Sequence, residues 1–262
     1  LAKKAFEKDS SVVGLSSHFR DLDNKLGGFH PSDLIIIAGR PSMGKTSLAT
    51  NIAFNIARDA HINNDSNSSI LFFSLEMSSE QLATRILSEQ AKISSSDIRK
   101  GNLSENDLDN LVSVSKDILE IPLYIDDTPA INVGSISSRA RKLKRKSGLG
   151  AIVIDYLQLV RPSKSSKNET RVLEISDITQ SLKALAKELN IPIIALSQLS
   201  RQVEQRDDKK PQLSDLRESG SIEQDSDVVM FIFREEYYLE KNEPAIGTSD
   251  YIEWQQKMEE IH

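Results

Sequence analysis

Apolar residues along the chain occur in two arrangements, short unbroken runs and longer stretches in which they recur every three or four positions. The recurring arrangement predicts amphipathic helices, for example over 47–60 and over 169–189. Strands that are apolar throughout and separated by amphipathic helices are typical of a parallel sheet covered on both faces. The pattern therefore predicts an α/β fold with a mainly parallel, twisted sheet flanked by helices. The unbroken runs that predict its strands are 34–38, 69–76, 122–126, 151–155, 191–198 and 227–233.

Short polar signals predict where helices begin and where the chain loops. Ser78 with Gln81, and Ser104 with Asp107, have the spacing of a capping box, in which two side chains satisfy each other's backbone N–H groups. The polar stretch 163–169 lies between two predicted elements and is expected to be a flexible inner loop.

The stretch 39–46, GRPSMGKT, matches the pattern G-x-x-x-x-G-K-[ST] at every fixed position. It follows a predicted strand and precedes a predicted helix, a context in which backbone N–H groups wrap around a phosphate and the helix presents its positive end. Lys45 is expected to reach the β- and γ-phosphates of a nucleotide, and the Thr46 hydroxyl to bind Mg²⁺. The alternative, a glycine loop that only caps a helix, leaves this context unexplained. The candidate nucleotide-binding residues of the loop are Gly39, Arg40, Pro41, Ser42, Met43, Gly44, Lys45, Thr46 and Ser47.

Polar residues end three of the predicted strands, and ligands of open α/β sheets bind beyond such carboxyl ends. Asp155 is a candidate Mg²⁺ ligand, and the alternative is a strand-end aspartate that begins a turn. Glu76 is a candidate to orient or deprotonate the water that attacks the γ-phosphate. Its alternative role is a glutamate that stabilises the N-terminus of the next helix. Gln198 is a candidate γ-phosphate sensor, and the alternative is an amide that satisfies backbone groups.

Composition and charge narrow the choice of ligands only slightly. The chain has no cysteine, which excludes disulfides and thiolate metal sites, and no apolar run approaches the roughly 20 residues of a membrane span. The net charge of −6 equals that of residues 235–262 alone, so residues 1–234 are neutral and the overall charge neither favours nor excludes nucleic acid. The run 139–146 carries six cations in eight residues. A solvated helix face is the favoured interpretation, and an additional DNA or partner surface is the alternative.

Several segments together resemble the successive motifs of the DnaB-type replicative helicases. The resemblance spans about 13–238, and its most specific part is LRESGSIEQD. The segment 19–41 is similar to the family's chain just before and within the phosphate loop. The other matching segments are GRPSMGKTS at 39–47, FFSLEMS at 72–78, VIDYLQL at 153–159, PIIALSQLSR at 192–201 and LRESGSIEQDSDVVMFIFR at 216–234.

This resemblance implies a RecA-like P-loop NTPase domain that acts in a hexameric ring of identical subunits around single-stranded DNA. It implies movement from 5′ to 3′ at the expense of ATP, with Mg²⁺ as the metal. Lys45, Glu76 and Gln198 are then the catalytic residues, as phosphate ligand, catalytic acid and γ-phosphate sensor. Thr46 and Asp155 are the residues on the metal side.

The resemblance also implies contacts outside the phosphate loop. Arg85 matches an arginine near the nucleotide base, and Arg217, Glu218 and Gly220 match the loop that follows the DNA backbone. Residue chemistry alone leaves open a simple ion pair of Arg217 with Glu218 or Asp215. The expected partners are single-stranded DNA, identical subunits, a primase and a helicase loader, with no membrane, in the cytoplasm.

The expected organisation is the end of a linker over 1–14, the ATPase motor domain over 15–238 and an acidic segment over 239–262. The family continues with basic residues that reach into the neighbouring subunit's ATP site, and no counterpart precedes His262. Arginine fingers in trans accelerate GTPases by roughly 10³–10⁵. The chain alone is therefore expected to bind ATP·Mg²⁺ but to hydrolyse it slowly. The alternative function is a nucleotide-switched assembly or loader ATPase that moves no DNA, and the stretch 216–226 separates the two.

Overall fold

The computed structural model describes residues 12–65, 67–162 and 170–261. The predicted loop 163–169 and most of the predicted linker lie outside these residues, as do the side chains of 217–221. The strands are β1 (Leu34–Gly39), β2 (Ile70–Ser74), β3 (Leu123–Asp126), β4 (Ala151–Asp155), β5 (Ile193–Gln198) and β6 (Val228–Phe231). The helices are α1 (Arg20–Leu26), α2 (Lys45–Ile62), α3 (Ser79–Ala91), α4 (Ser95–Lys100), α5 (Glu105–Leu119), α6 (Val133–Ser147), α7 (Arg171–Leu189), α8 (Gly220–Asp225), α9 (Glu235–Lys241) and α10 (Ser249–Ile261).

The six strands form one sheet in the order β3-β2-β4-β5-β1-β6, and every neighbouring pair is parallel. The predicted α/β class is confirmed, with a sheet that is wholly parallel within the described residues rather than mainly so. Parallel neighbours end at the same edge of a sheet, so the residues that follow β1, β2, β4 and β5 meet along one edge.

Two apolar layers cover the sheet, one on each face, because successive side chains of a strand point to opposite faces. In β1, Leu34 and Ile36 belong to one layer and Ile35 and Ile37 to the other. All four are buried, which explains why the strand is apolar throughout.

Helices complete both layers with their apolar faces. Ile136 of α6 and Leu182 of α7 pack on one face of the sheet. Ile52 of α2 and Leu82 of α3 pack on the other face. Burial of each such side chain stabilises the fold by about 1.5–3 kcal/mol, so the amphipathic spacing in the sequence fixes which side of each helix faces the sheet.

Both predicted capping boxes are present, at the start of α3 and of α5. Strand β2 is shorter than the predicted run 69–76. The Ser74 hydroxyl donates to the carbonyl oxygen of Met77, 2.7 Å away, and closes a turn directly after the strand. Glu76 therefore lies in this turn, two residues beyond the strand end, and not on the strand itself.

The basic run 139–146 lies on α6, where Ile136 and Ala140 are buried. Its cations are partly engaged by the protein itself. Arg139 pairs with Asp126, and Arg141 donates two hydrogen bonds to Glu188 at 2.7 and 2.8 Å. These contacts favour the interpretation of this run as the outer face of the domain. Among the described residues, no helix is long and apolar enough to cross a membrane.

Candidate nucleotide site

The candidate site is built at the edge of the sheet where the strands carry their carboxyl ends. The register pairs Gly39 of β1 with Gln198 of β5, and Ser74 of β2 with Asp155 of β4. Four chain segments that are far apart in the sequence thus reach the same edge, as their strand-end positions predict.

The phosphate loop joins β1 to α2 and contains two residues in the left-handed region of backbone conformation. Gly44 has φ 92° and precedes α2, which begins at Lys45. Ser42 has φ 66°. Glycine adopts such a φ without steric cost, and its space is open, since nothing lies within 4 Å of an added Cβ at Gly44. The loop therefore brings its backbone close to any ligand above the start of α2.

Lys45 folds back on the loop. Its ammonium donates to the carbonyl oxygens of Gly39 and Arg40, at 2.9 and 3.0 Å. Burial lowers the pKa of Lys45, and the negative charges of Asp155 and Glu76 oppose this effect. The lysine thus lies between the loop backbone and two carboxylates, where an anionic ligand relieves its desolvation.

Thr46 and Asp155 meet at the base of the site. The Thr46 hydroxyl donates to Asp155 Oδ2 over 2.7 Å, and Asp155 is only 1% exposed. Burial raises the pKa of Asp155, the Thr46 hydrogen bond lowers it, and the charge of Glu76 raises it further. A hydroxyl and a buried carboxylate are hard oxygen donors, which suit Mg²⁺ held jointly by a protein and nucleotide phosphates. The two predicted metal-side residues therefore fit this ion.

A cleft of about 420 Å³ lies above these residues. It contains Glu76 and Gln198, the two other predicted catalytic residues, together with Arg85. The Arg85 guanidinium is 3.5 Å from the hydroxyl of Ser47 at the start of α2. The cleft lining also includes Pro41, Ser42, Gly44, Lys45, Thr46, Ser47, Met77 and Tyr156.

Two residues of the predicted loop set do not turn their side chains to the cleft. Met43 is 2% exposed and belongs to the core. Arg40 is 7% exposed, and its guanidinium donates to Glu204 Oε1 and to the carbonyl oxygen of Leu199, both at 2.8 Å. The motif leaves these two positions unspecified, and the structure uses their side chains for packing and for an ion pair. Only their backbone remains available to a nucleotide.

Sequence reasoning did not assign a role to two residues that follow β4. Tyr156 lines the cleft, and burial raises the pKa of its phenol, with the charges of Glu76 and Asp155 adding to the effect. The Gln158 amide donates to Ser197 Oγ at 3.0 Å and exchanges two hydrogen bonds of 3.3 Å with the backbone of Gln198. Gln158 thereby fixes the end of β5. The sequence signal for this role of Gln158 is its position as a polar residue between two leucines.

The predicted DNA-contacting residues Arg217, Glu218 and Gly220 lie where the 3₁₀ segment Leu213–Ser219 meets α8. Their side chains are outside the part of the chain that the structure describes. Asp215, considered above as a partner of Arg217, accepts two hydrogen bonds of 2.9 Å from Arg206. Among the side chains that the structure describes, Asp215 therefore pairs with Arg206.

A parallel sheet, a phosphate loop that opens a helix, and a buried carboxylate bonded to the loop threonine together define a RecA-like P-loop NTPase. Comparison with known proteins narrows this class. The sequence model of the family DnaB-like helicase C terminal domain matches residues 14–260, and the chain belongs to this family. The resemblance seen in the sequence is thus confirmed.

Similar proteins include the replicative DNA helicase DnaB of Rickettsia typhi, 56% identical over 99% of this chain and 52% of that protein. The replicative DNA helicase DnaB of Geobacillus stearothermophilus is 49% identical over 90% of this chain and 50% of that protein. The chain thus spans about half the length of the curated relatives it matches.

Two solved structures share the fold. One, described as an ATPase domain, has a TM-score of 0.82 and 37% identity, over 90% of this chain and 82% of that one. The other, a DnaB-like replicative helicase described with its interactions with primase, has a TM-score of 0.81 and 37% identity, over 90% of this chain and 55% of that one.

Proposed function

We propose that this chain is the ATP-hydrolysing motor domain of a replicative DNA helicase, with 15–238 as the motor unit. The observation that carries the proposal is the contact between Thr46 and Asp155 at the base of a cleft that also holds Lys45 and Glu76. The phosphate loop is sufficient for nucleotide binding. An acid facing the same cleft adds the means to activate water, which favours hydrolysis.

In the proposed mechanism the loop backbone and the start of α2 bind the phosphates, and Lys45 transfers its N–H donors from loop carbonyls to phosphate oxygens. Thr46 and Asp155 would hold Mg²⁺, which neutralises the charge that develops on the phosphates. Burial raises the pKa of Asp155 when it is bonded only to Thr46. A cation beside it favours the ionised carboxylate.

Glu76 is proposed to orient and deprotonate the attacking water, since its carboxylate faces the cleft and is free of the strand backbone. Gln198 is proposed to sense the γ-phosphate. Its backbone is held by Gln158 while its side chain lines the cleft, so the amide can respond to the ligand without moving β5. Arg85 is proposed to lie beside the nucleotide base.

Single-stranded DNA is the proposed polymer substrate, bound through Arg217, Glu218 and the backbone around Gly220. Backbone N–H groups and one arginine per subunit bind phosphates without a high net charge. A hexameric ring of identical subunits repeats the contact and makes a modest site strong. Movement is proposed to run from 5′ to 3′, in the cytoplasm. A primase is a proposed partner because the relative of known structure is described with one, and a helicase loader is proposed from the family resemblance.

The test is ATP turnover with and without single-stranded DNA, on this chain and on a version extended past His262. Lys45→Ala serves as the blank because it removes the phosphate ligand. The expected result is strong stimulation by DNA of the extended protein and little turnover by this chain. No stimulation of the extended protein would favour the alternative, an assembly or loader ATPase that moves no DNA.

Substitution of the proposed catalytic acid separates hydrolysis from binding. In the version extended past His262, Glu76→Gln is expected to lower turnover by roughly 10²–10⁴, the range of general base catalysis, and to leave nucleotide affinity within a few-fold. Glu80→Gln, an exposed acid in the first turn of α3, is the matched control. Equal losses of affinity and turnover in Glu76→Gln would show that Glu76 serves binding instead.

A further inference from the structure

The side chain of Arg40 lies outside the nucleotide cleft and links the phosphate loop to the segment after β5. Its guanidinium donates to Glu204 Oε1 and to the Leu199 carbonyl oxygen, both at 2.8 Å, while the arginine is 7% exposed. The Leu199 N–H donates to the Gly39 carbonyl oxygen at 3.3 Å. The loop and the segment 199–205 are therefore fastened at three points.

The contacts continue from Glu204 towards the candidate DNA loop. The Lys209 ammonium donates to the carbonyl oxygens of Glu204 and Arg206, at 3.2 and 2.9 Å. Arg206 makes its paired hydrogen bonds to Asp215, which is 5% exposed. The Ser200 N–H donates to the Asp215 carbonyl oxygen at 3.2 Å. A continuous set of polar contacts thus runs from the phosphate loop to the residue two before Arg217.

The phosphate-loop end of this set would change if Lys45 binds phosphate as proposed. Lys45 has three N–H donors, and two of them bond the carbonyl oxygens of Gly39 and Arg40 in this structure. Contact with both a β- and a γ-phosphate oxygen takes two donors. The carbonyl oxygen of Gly39 or that of Arg40 must then lose its hydrogen bond from Lys45. Both residues also bind the segment 199–205.

We propose that Arg40 and Glu204 form a positioning pair, which transmits occupancy of the phosphate loop to the segment 199–216. The proposal rests on the nucleotide-binding part of the proposed function and adds the route by which that site acts on the candidate DNA loop. Arg40 suits this role because its planar guanidinium holds two acceptors at once, on Glu204 and on Leu199. The Arg40 hydrogen bond lowers the pKa of Glu204, which keeps the carboxylate ionised.

The experiment follows amide hydrogen exchange in the 262-residue chain, with and without a non-hydrolysable ATP analogue and Mg²⁺. In the unsubstituted chain the analogue is expected to slow exchange at 39–47 and to change it at 199–216 by about threefold or more. Glu204→Gln keeps the shape of the side chain but removes its charge. It is expected to retain the response at 39–47 and to lose the response at 199–216.

Glu188→Gln is the matched control, because Glu188 also pairs with an arginine, Arg141, on the outer face of the domain. It is expected to keep both responses. Arg40→Lys is a second variant, which keeps the charge but cannot hold both acceptors in one plane, and its response at 199–216 is expected to weaken.

Three results would overturn the proposal. They are an equal response at 199–216 in Glu204→Gln and the unsubstituted chain, no response there in the unsubstituted chain, and loss of the response at 39–47 in Glu204→Gln. If the pair only stabilises the fold, the response at 199–216 is the same in Glu204→Gln as in the unsubstituted chain. DNA plays no part in the measurement, so failure of the DNA-binding proposal is recognised separately, by turnover that DNA leaves unchanged.

Discussion

Two aspartates are nearly inaccessible to solvent but lie in different surroundings. Asp23, in α1, is 5% exposed, and Asp155, at the end of β4, is 1% exposed. Burial alone raises the pKa of both carboxyls. The pKa of Asp23 is nevertheless below its ordinary value, whereas that of Asp155 is above it.

The difference follows from depth and from hydrogen-bond donors, because Asp155 lies deeper in the protein and Asp23 has more donors. Asp23 accepts the Ser16 hydroxyl at 2.6 Å, the Ser17 hydroxyl at 2.7 Å, the Ser17 N–H at 2.8 Å and the His18 N–H at 3.1 Å. These donors outweigh the effect of burial on its pKa. They also hold His18 at φ 61°, so Asp23 serves to shape the chain ahead of α1.

Asp155 has one hydroxyl donor, from Thr46. The charge of Glu76 acts against its ionised form, and the charges of Lys45 and Arg85 only partly offset this and the effect of burial. A buried carboxylate left short of donors is unfavourable unless a cation joins it. The comparison teaches that burial of an acid does not mark a functional site. A shortage of donors around Asp155 agrees with its proposed role as an Mg²⁺ ligand.

The largest expected contrast is in turnover. Asp155→Asn is expected to lower ATP hydrolysis on the order of 10³-fold, since the amide binds Mg²⁺ poorly and several kcal/mol of charge stabilisation are lost. Asp23→Asn, below its unfolding temperature, is expected to stay within about twofold of the unsubstituted chain. Steady-state turnover of the version extended past His262, with saturating Mg²⁺ and single-stranded DNA, measures both. A folded Asp23→Asn protein with strongly reduced turnover would erase the contrast.

The second contrast is the loss of stability in Asp23→Asn. The amide NH₂ group would face donors that now bond a carboxylate oxygen, so the free energy of unfolding should fall by about 2 kcal/mol. For a domain of this size the midpoint of thermal unfolding should fall by about 4–8 °C. Calorimetry without nucleotide checks this value, and Asp21→Asn, an exposed acid of the same helix, serves as control.

The third contrast is a gain of stability in Asp155→Asn. The neutral amide keeps an acceptor for Thr46 and removes both the buried charge and its repulsion by Glu76. The free energy of unfolding should rise by about 1 kcal/mol, as is common when a strained active site is relieved, and the midpoint by about 2–4 °C. The measurement requires buffer without Mg²⁺ and nucleotide. A lower midpoint would mean that the Asp155 carboxylate stabilises the free protein.

The smallest contrast is in pH dependence. The pKa of Asp155 is raised on folding, so its burial costs stability only above the ordinary value of 3.8, increasingly until pH passes the raised pKa. The gain in Asp155→Asn should therefore shrink towards pH 3.8. The pKa of Asp23 is lowered, so its contribution is present above 3.8 and is lost as pH falls through the lowered pKa. Urea unfolding between about pH 7 and pH 3 tests both signs, and differences that do not vary with pH would refute them.

Much of the fold and the base of the site could be predicted from the sequence, because the signals were local. Unbroken apolar runs mark buried parallel strands, and the fixed spacing of the phosphate loop placed Lys45 and Thr46. Asp155 and Gln198 end β4 and β5 as expected. Glu76 was assigned to a strand that in fact ends at Ser74, since the apolar run continues into the turn.

What the sequence did not indicate depends on pairing between distant segments. The pairing of Arg40 with Glu204 joins residues 164 positions apart, and an unspecified motif position carries no sign of it. Gln158 likewise acts through contact with Gln198, 40 positions on. Such contacts are set by the strand order, which brings β4, β5 and β1 side by side.

That strand order also fixes when the phosphate loop can form during synthesis. Strand β1 lies between β5 and β6. Leu34 cannot pair until Ile193 has been synthesised, and Ile35 cannot pair with Val228 until that residue has been synthesised. These pairings span most of the chain, and contacts of such separation form late. The ribosome therefore makes the loop early in this domain, yet the loop gains its shape only after β5 and β6 have emerged. A nascent chain halted before β5 should consequently be unable to bind nucleotide.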